Sequence, residues 1–122
     1  MTNINKAVQL AKTWIEAWNE GKPDDIPLAE NFTHSSPFGT VSGREKYLNW
    51  VKPLAAKNVA SLKIIRILGD ENEAAVWFEM KTQGSVVRTV DWLQTQGGEI
   101  SSITSFYDPA TIPGYKDDKY KE

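Results

Sequence analysis

The chain has 122 residues, of which 40% are hydrophobic and 25% charged, the size and balance of one globular domain rather than of a disordered protein. Fourteen basic and sixteen acidic residues leave a net charge of -2 without a Lys/Arg cluster, which argues against nucleic acid or an anionic membrane as a partner. Cysteine is absent and histidine occurs once, which argues against disulfides, thiol nucleophiles and a metal site.

The first half of the chain has the periodicity of helices. Apolar residues recur every three or four positions from about Asn3 to Glu20, which predicts an amphipathic helix. The run Asn31–Ser36 predicts a short strand that a Pro-Phe-Gly turn ends. Ser42 and Glu45 have the spacing of a capping box, so a second helix is expected to follow, ended or bent at Pro53.

From residue 60 onward the pattern is that of strands. Four β-rich runs, SLKIIRIL, EAAVWFEMKTQ, SVVRTVDWLQT and EISSITSFY, are separated by turn residues. Helices followed by a meander predict an α+β fold in which helices cover one face of an antiparallel sheet. We expect one domain over residues 1–108 and a solvated tail over 109–122. No apolar run resembles a signal peptide or a membrane span, so the expected location is cytoplasmic.

Strand alternation divides the side chains of the meander between two faces. A two-residue loop at Gly84–Ser85 would pair Phe78 with Asp91 and Trp77 with Trp92. One face is then apolar except for Asp91 and Thr89, and is expected to lie beneath the helices. It comprises Val76, Phe78, Met80, Val87, Thr89, Asp91 and Leu93.

The last hairpin has two alternatives. A two-residue loop at Gly97–Gly98 would pair Asp91 with Thr104, whereas a three-residue loop beginning at Gln96 would pair it with Ile103. A shift of one residue exchanges the two faces of a strand. We favour the longer loop, which directs Ile103, Ser105 and Tyr107 toward the helices.

The opposite, convex face carries Trp77, Val90 and Trp92. Two exposed indoles would form an apolar patch of the kind that marks an interface. A homodimer through the sheet face is therefore expected, with coverage by the C-terminal tail as the alternative.

Three segments together resemble the SnoaL-like group of the nuclear transport factor 2-like superfamily. They are WIEAWNEGKPDD, FTHSSPFGTVSGREKYLNWV and VDWLQTQGGEISSITSFYD. The resemblance implies a cone-shaped fold with a curved sheet, a pocket at its open end, and often a dimer. Members include ketosteroid isomerase, limonene epoxide hydrolase, scytalone dehydratase and polyketide cyclases, as well as domains without catalytic activity.

The comparison with ketosteroid isomerase is only partial. Ser36 stands where that enzyme has its aspartate base, and Trp14 stands where it has a hydrogen-bonding tyrosine. Asp91 alone matches, at the position of the isomerase's protonated sheet aspartate. The polyketide cyclases are more similar in one respect, since the resemblance implies that they use a sheet aspartate such as Asp91 as acid or base.

Asp91 and His34 are the candidate catalytic residues. Burial among apolar side chains would raise the pKa of Asp91 toward that of an acid or base working near neutrality. The alternative is a structural aspartate that is hydrogen-bonded to a buried Trp or Tyr. His34 is expected to reach Asp91 directly or through one water, or else to lie partly exposed at the strand end.

The predicted pocket lining takes in most of the aromatic side chains of both helices and the concave face. These ligand-binding candidates are Trp14, Trp18, Ser36, Phe38, Tyr47, Trp50, Phe78, Met80, Leu93, Ile103, Ser105 and Tyr107. The pattern favours acid/base catalysis without a cofactor on a small hydrophobic carbonyl or polyketide-like molecule. The alternatives are a binding protein for a small hydrophobic molecule without catalysis, and a protein-association domain.

Overall fold

The computed structural model describes residues 5–57, 59–82 and 85–111, and within them two α-helices cover a curved sheet of six strands. The helices are α1 (Lys6–Asn19) and α2 (Arg44–Lys57). The strands are β1 (Leu28–Ser36), β2 (Gly39–Ser42), β3 (Val59–Gly69), β4 (Glu73–Thr82), β5 (Ser85–Gln96) and β6 (Glu99–Phe106). The strands lie in the order β2-β1-β6-β5-β4-β3. Neither helix is long and apolar enough to cross a membrane.

Helix α1 lies along the β3–β4 half of the sheet and is anchored at both ends. The amide of Ala7 donates to the carbonyl of Asp70 at 3.1 Å. At the other end, the Asn19 side chain bonds both the amide and the carbonyl of Leu62. Gly21 follows with φ 69, the left-handed conformation in which helices commonly end. The axis of α1 therefore runs from the β3–β4 turn toward Leu62.

The segment between the helices contains more strand than predicted. β1 begins at Leu28, and residues 39–42 form β2, a hairpin partner of β1. The predicted second helix follows, but the residue that precedes it is Gly43 rather than Ser42, because α2 begins at Arg44. The first helical hydrogen bond of α2 runs from the Tyr47 amide to the Gly43 carbonyl at 3.0 Å.

Two further expectations concern the end of α2 and the C-terminal tail. Pro53 lies inside α2, which continues to Lys57 rather than ending at the proline. A 3-10 turn, Pro109–Thr111, follows the last strand. The rest of the predicted solvated tail, residues 112–122, lies outside the described residues.

The α+β fold is confirmed, with one pairing that departs from the antiparallel pattern. β1 and β6 run parallel, whereas the four other neighbouring pairs are antiparallel. This parallel pair attaches the β1–β2 hairpin to the β3–β6 meander. The core lies between the concave face of the sheet and the helices, with Phe32 and Val76 fully buried.

The hairpin of β4 and β5 turns one residue earlier than predicted. Thr82 pairs with Ser85, which makes 83 and 84 the connecting positions. Asp91 consequently pairs with Val76, and Phe78 with Thr89, rather than with each other. The partner shifts by two residues, an even number, so the predicted faces are retained.

In the observed β4–β5 register, the two exposed indoles are not directly opposite each other. Trp77 pairs with Val90, and Trp92 pairs with Ala75, so the tryptophans are diagonal neighbours rather than directly opposed. Both lie on the convex face, where Trp77 is 43% and Trp92 45% exposed. Phe106, which pairs with Val90 from β6, extends this exposed apolar surface.

The β5–β6 hairpin combines features of both alternatives. Gln96 pairs with Glu99, so the loop is the shorter one at Gly97–Gly98, and the favoured three-residue loop is wrong. A bulge then shifts the register between Gln94 and Thr95, which pairs Asp91 with Ser105. One extra residue in β6 has the same effect on parity as a longer loop. Ile103 and Ser105 therefore lie on the concave face, as the longer loop would have placed them.

Candidate functional site

Asp91 lies at the centre of the concave face and is 2% exposed. Strand alternation places Thr89 and Leu93 beside it on β5, and the register places Val76 and Ser105 across from it. All four neighbours are uncharged and buried, and α1 covers the face from above. The carboxyl group is thus cut off from solvent.

Two side-chain donors hold the Asp91 carboxyl group. Trp14 Nε1, from α1, donates to Oδ2 at 3.0 Å. Ser105 Oγ, from β6, donates to Oδ1 at 2.6 Å. Burial raises the pKa of Asp91 to about 6, although the bonds from Ser105 and Trp14 act in the opposite direction. The balance leaves a carboxyl group that changes charge near neutral pH.

His34 reaches the same cluster from β1. It is 7% exposed, and its Nε2 lies 2.9 Å from Ser105 Oγ. Burial lowers the pKa of His34 to about 4, so the imidazole is neutral at neutral pH. Because the Ser105 hydrogen is directed at Asp91, we assign the proton of the imidazole to Nε2, which then donates to Ser105 Oγ.

His34 and Asp91 are therefore joined through the hydroxyl of Ser105 rather than by a direct bond. The reason is the strand order. β6 lies between β1 and β5, so the backbones of the two residues are at least two strand spacings apart, roughly 9–10 Å. Ser105, on the intervening strand, occupies the position between them.

The order of these groups defines the chemistry that they can perform. In a Ser-His-Asp triad the imidazole lies between the hydroxyl and the carboxylate, whereas here the hydroxyl lies between the imidazole and the carboxylate. Ser105 is consequently not arranged as a nucleophile. Its hydroxyl can accept a proton from one side while it donates its own to the other. The arrangement suits the transfer of a proton between His34 and Asp91.

Aromatic rings pack around the His34 side of this cluster. The ring centroid of His34 lies 5.1 Å from that of Tyr47 and 6.5 Å from that of Trp50. Trp14 contacts both Tyr47, at 6.1 Å, and Trp18, at 5.9 Å. The rings of α1 and α2 thus form a continuous series above the polar groups.

The predicted lining residues divide into a buried and a partly exposed set. The buried members are Trp14, Tyr47, Phe78, Leu93, Ile103 and Ser105. The partly exposed members are Trp18, Ser36, Phe38, Trp50, Met80 and Tyr107. Within the second set, Phe38 and Tyr107 are in ring contact at 6.0 Å, and Ser36 Oγ accepts a hydrogen bond from the Phe38 amide at 3.1 Å.

One depression on the surface contains none of these residues. It has a volume of about 540 Å³ and is lined by Ala29, Glu30, Asn31, Gln96 and Glu99. Exposed carboxylates of Glu30 and Glu99 and the absence of aromatic rings in its lining make it a poor match for a hydrophobic molecule. The buried cluster around Asp91 remains the stronger candidate.

The sequence matches the family model of the SnoaL-like domain over residues 11–103. The chain belongs to the SnoaL-like domain family. The matched range contains Trp14, His34 and Asp91 but ends before Ser105. No protein with a curated description matches this SnoaL-like domain by sequence.

Several solved structures share the fold of this SnoaL-like domain. An NTF2-like protein of Cytophaga hutchinsonii has 22% identity and a TM-score of 0.74, with 89% of this chain and 95% of that chain covered. A steroid delta-isomerase of Pseudomonas aeruginosa has 12% identity and a TM-score of 0.74, with 93% and 88% covered. An epoxide hydrolase of M. tuberculosis, described as LEH-like, has 13% identity and a TM-score of 0.74, with 93% and 91% covered. At these identities the likeness establishes the shared fold.

Trp14 has a part in the SnoaL-like domain that the sequence did not reveal. It was predicted as a pocket wall, and as the residue that replaces a tyrosine hydroxyl. Its indole N–H is instead directed at Asp91, which matches the alternative of an aspartate bonded to a buried tryptophan. The helical spacing placed Trp14 on the buried face but carried no sign of its hydrogen-bond partner.

Replacement of Trp14 by Phe is expected to raise the pKa of Asp91 further above about 6, since one of two bonds that stabilise the carboxylate is lost. The measurement is a ¹³C NMR titration of the Asp91 carboxyl carbon. Trp18→Phe is the matched control, because Trp18 makes no bond to Asp91. An unchanged pKa in Trp14→Phe would contradict the assigned bond.

Proposed function

We propose that this SnoaL-like domain is a cofactor-independent acid/base catalyst that moves a proton on a small hydrophobic carbonyl or polyketide-like substrate. Isomerisation, cyclisation and dehydration all need this step. The observation that carries the proposal is the buried Asp91, with a pKa near 6, in contact with His34 through Ser105.

His34, Ser105 and Asp91 have different roles in the proposed proton transfer. His34, with a pKa of about 4, is a weak base by itself. Asp91 has the higher pKa, about 6, but its two oxygens are already engaged by protein donors. When the imidazole accepts a proton from the substrate at Nδ1, it passes its Nε2 proton to Ser105 and Ser105 passes its own to Asp91, so that the carboxylate becomes neutral and the imidazole stays neutral. The higher pKa of Asp91 thereby determines how strong a base His34 is toward the substrate.

The fold relatives support a pocket next to this cluster. A steroid delta-isomerase and an epoxide hydrolase share the arrangement of helices over a curved sheet. The partly exposed aromatic residues Trp18, Phe38, Trp50 and Tyr107 are the candidates for the pocket entrance. Their apolar rings favour a substrate with a hydrophobic body.

Proton exchange on ketones in D₂O tests the proposal. The purified protein is incubated with cyclohex-2-enone, 2-decalone and a 1,3-diketone, and loss of the α-proton signal is followed by ¹H NMR. We expect protein-dependent exchange whose rate increases as the pH rises through about 6, because the carboxylate form of Asp91 is the active base. Exchange no faster than in buffer for all three ketones would count against catalysis.

The second candidate is a binding protein for a small hydrophobic molecule without catalysis. One observation favours it: both Asp91 oxygens accept bonds from Trp14 and Ser105, as they would in an aspartate that merely holds two elements together. A binder would show ligand affinity that is insensitive to the ionisation of Asp91. Tight binding of a ketone without α-proton exchange would favour this candidate.

The convex face supports a third proposal, a homodimer through Trp77, Val90 and Trp92. Trp92 is 45% exposed, although its Nε1 bonds Glu73 at 3.0 Å, and large exposed apolar groups are typical of interfaces. We expect a dimer at micromolar concentration, and dissociation to monomers when Trp92→Lys places a charge in the patch. Analytical ultracentrifugation measures the change. Gln9→Lys, on the exposed side of α1, is the control and is expected to stay dimeric.

A further inference from the structure

Two buried side-chain polar atoms in the described ranges have no hydrogen-bond partner, Trp18 Nε1 and Thr89 Oγ1. Thr89 is 4% exposed and lies on the concave face of β5, two residues before Asp91. A buried polar group without a partner destabilises the folded state by roughly 1–3 kcal/mol. Two such groups in one interior indicate a position for a further molecule that bonds to them.

Trp18 and Thr89 lie in the same direction along the fold from the Trp14–Asp91 pair. Helix α1 runs toward Leu62, and Trp18 is one turn beyond Trp14, a rise of roughly 6 Å. Along the sheet, Leu62 pairs with Met80 and Phe78 with Thr89, so the step from Asp91 to Thr89 runs in the same direction. Two strand residues cover roughly 7 Å.

We propose that Trp18 Nε1 and Thr89 Oγ1 bind one oxygen atom of the ligand, the carbonyl oxygen of an otherwise apolar molecule, next to Asp91. This inference rests on the proposed function and identifies where the oxygen of the substrate binds. Thr89, which was predicted only as part of the concave face, becomes a specificity-determining residue.

The donor chemistry selects this kind of ligand. An indole N–H can only donate, whereas a threonine hydroxyl can donate or accept, so one oxygen that carries no hydrogen satisfies both groups. Phe78, which pairs with Thr89, and the Trp14 ring, in contact with Trp18, supply apolar surface on either side. The nearby Asp91 carboxylate disfavours an anionic ligand.

The same pair of donors would assist proton transfer at the adjacent carbon. Removal of an α-proton shifts negative charge to the carbonyl oxygen, and two donors fixed at that oxygen stabilise the charge as it develops. Thr89 lies two residues from Asp91 on β5. The donors that bind the oxygen, Trp18 and Thr89, are therefore separate from the groups that take the proton.

The experiment compares cyclohexanone with methylenecyclohexane, which replaces the oxygen by a CH₂ group of similar shape. Binding to the full chain is followed on ¹⁵N-labelled indole N–H signals, with the Trp18 signal assigned from Trp18→Phe. We expect cyclohexanone to bind and to move the Trp18 signal downfield, and methylenecyclohexane to bind more weakly without that shift. Thr89→Val, which conserves shape, is expected to weaken cyclohexanone binding by about 2- to 10-fold and to leave the hydrocarbon unaffected.

Three results would overturn the proposal: no binding of cyclohexanone, equal affinity for the two probes, or a ketone effect that is unchanged in Thr89→Val. Trp18→Phe provides the second variant, and it too must lose the preference for the ketone. Since the measurement is of binding, it is independent of turnover. Ketone binding without exchange would refute the proposed catalysis alone, whereas exchange with no ketone preference would refute this inference alone.

Discussion

Asp91→Asn is expected to lower the rate of α-proton exchange by about 100- to 10,000-fold, the contribution that a positioned general base commonly makes. The amide has nearly the shape of the carboxyl group but cannot take up a proton at neutral pH. It can still accept a bond from Trp14 or Ser105 through its one oxygen, and the fold is therefore expected to persist. Loss of exchange with a retained fold would assign the base.

Two further variants separate the parts of the Asp91 cluster. Ser105→Ala keeps the carboxylate but removes the hydroxyl that joins it to His34, so exchange should also fall. Asp25→Asn removes one carboxylate from an exposed position and is expected to have no effect. Circular dichroism and the unfolding midpoint report on the fold of each variant. Undiminished exchange in Asp91→Asn would refute the catalytic assignment.

The second large effect concerns stability, because Asp91 and His34 respond to pH in opposite directions. The pKa of Asp91 is raised from 3.8 to about 6, so its contribution to stability is present at low pH and is lost as the pH rises through about 6. The pKa of His34 is lowered from 6.5 to about 4, so its contribution is present above 6.5 and is lost as the pH falls through about 4.

These two dependences nearly cancel in the unmodified protein. Between about pH 4 and pH 6, unfolding releases a proton from Asp91 and takes one up at His34, so their net proton exchange is close to zero. Each single variant removes one of the two titrating groups, so the pH dependence of the other is no longer cancelled. The free energy of unfolding of Asp91→Asn relative to the unmodified protein should rise by on the order of 2–3 kcal/mol from about pH 4 to pH 7. The same difference for His34→Gln should fall by a similar amount.

Urea unfolding across this pH range, followed by Trp fluorescence, measures both differences. The constant offset that each substitution introduces does not matter, because only the change with pH is compared. Parallel pH profiles for Asp91→Asn and the unmodified protein would show that folding does not raise the pKa of Asp91.

The sequence by itself determined the fold class and the faces of its elements. Helical spacing identified the buried side of α1, and strand alternation directed Asp91 toward the helices even though Phe78 was not its true partner. Both results depend on local periodicity, which survives a register error of two residues. Strand alternation likewise predicted that Trp77 and Trp92 lie on the convex face, outside the core.

Only the tertiary structure decided how the polar groups of the Asp91 cluster meet. The parallel pairing of β1 with β6 and the bulge in the last hairpin bring His34 and Asp91 to either side of Ser105. The packing of α1 directs the Trp14 N–H at the carboxyl group and leaves Trp18 and Thr89 without partners. These contacts join residues up to 77 positions apart in the chain, so no local pattern encodes them. They follow from strand order, register and helix placement, which packing of the whole core establishes.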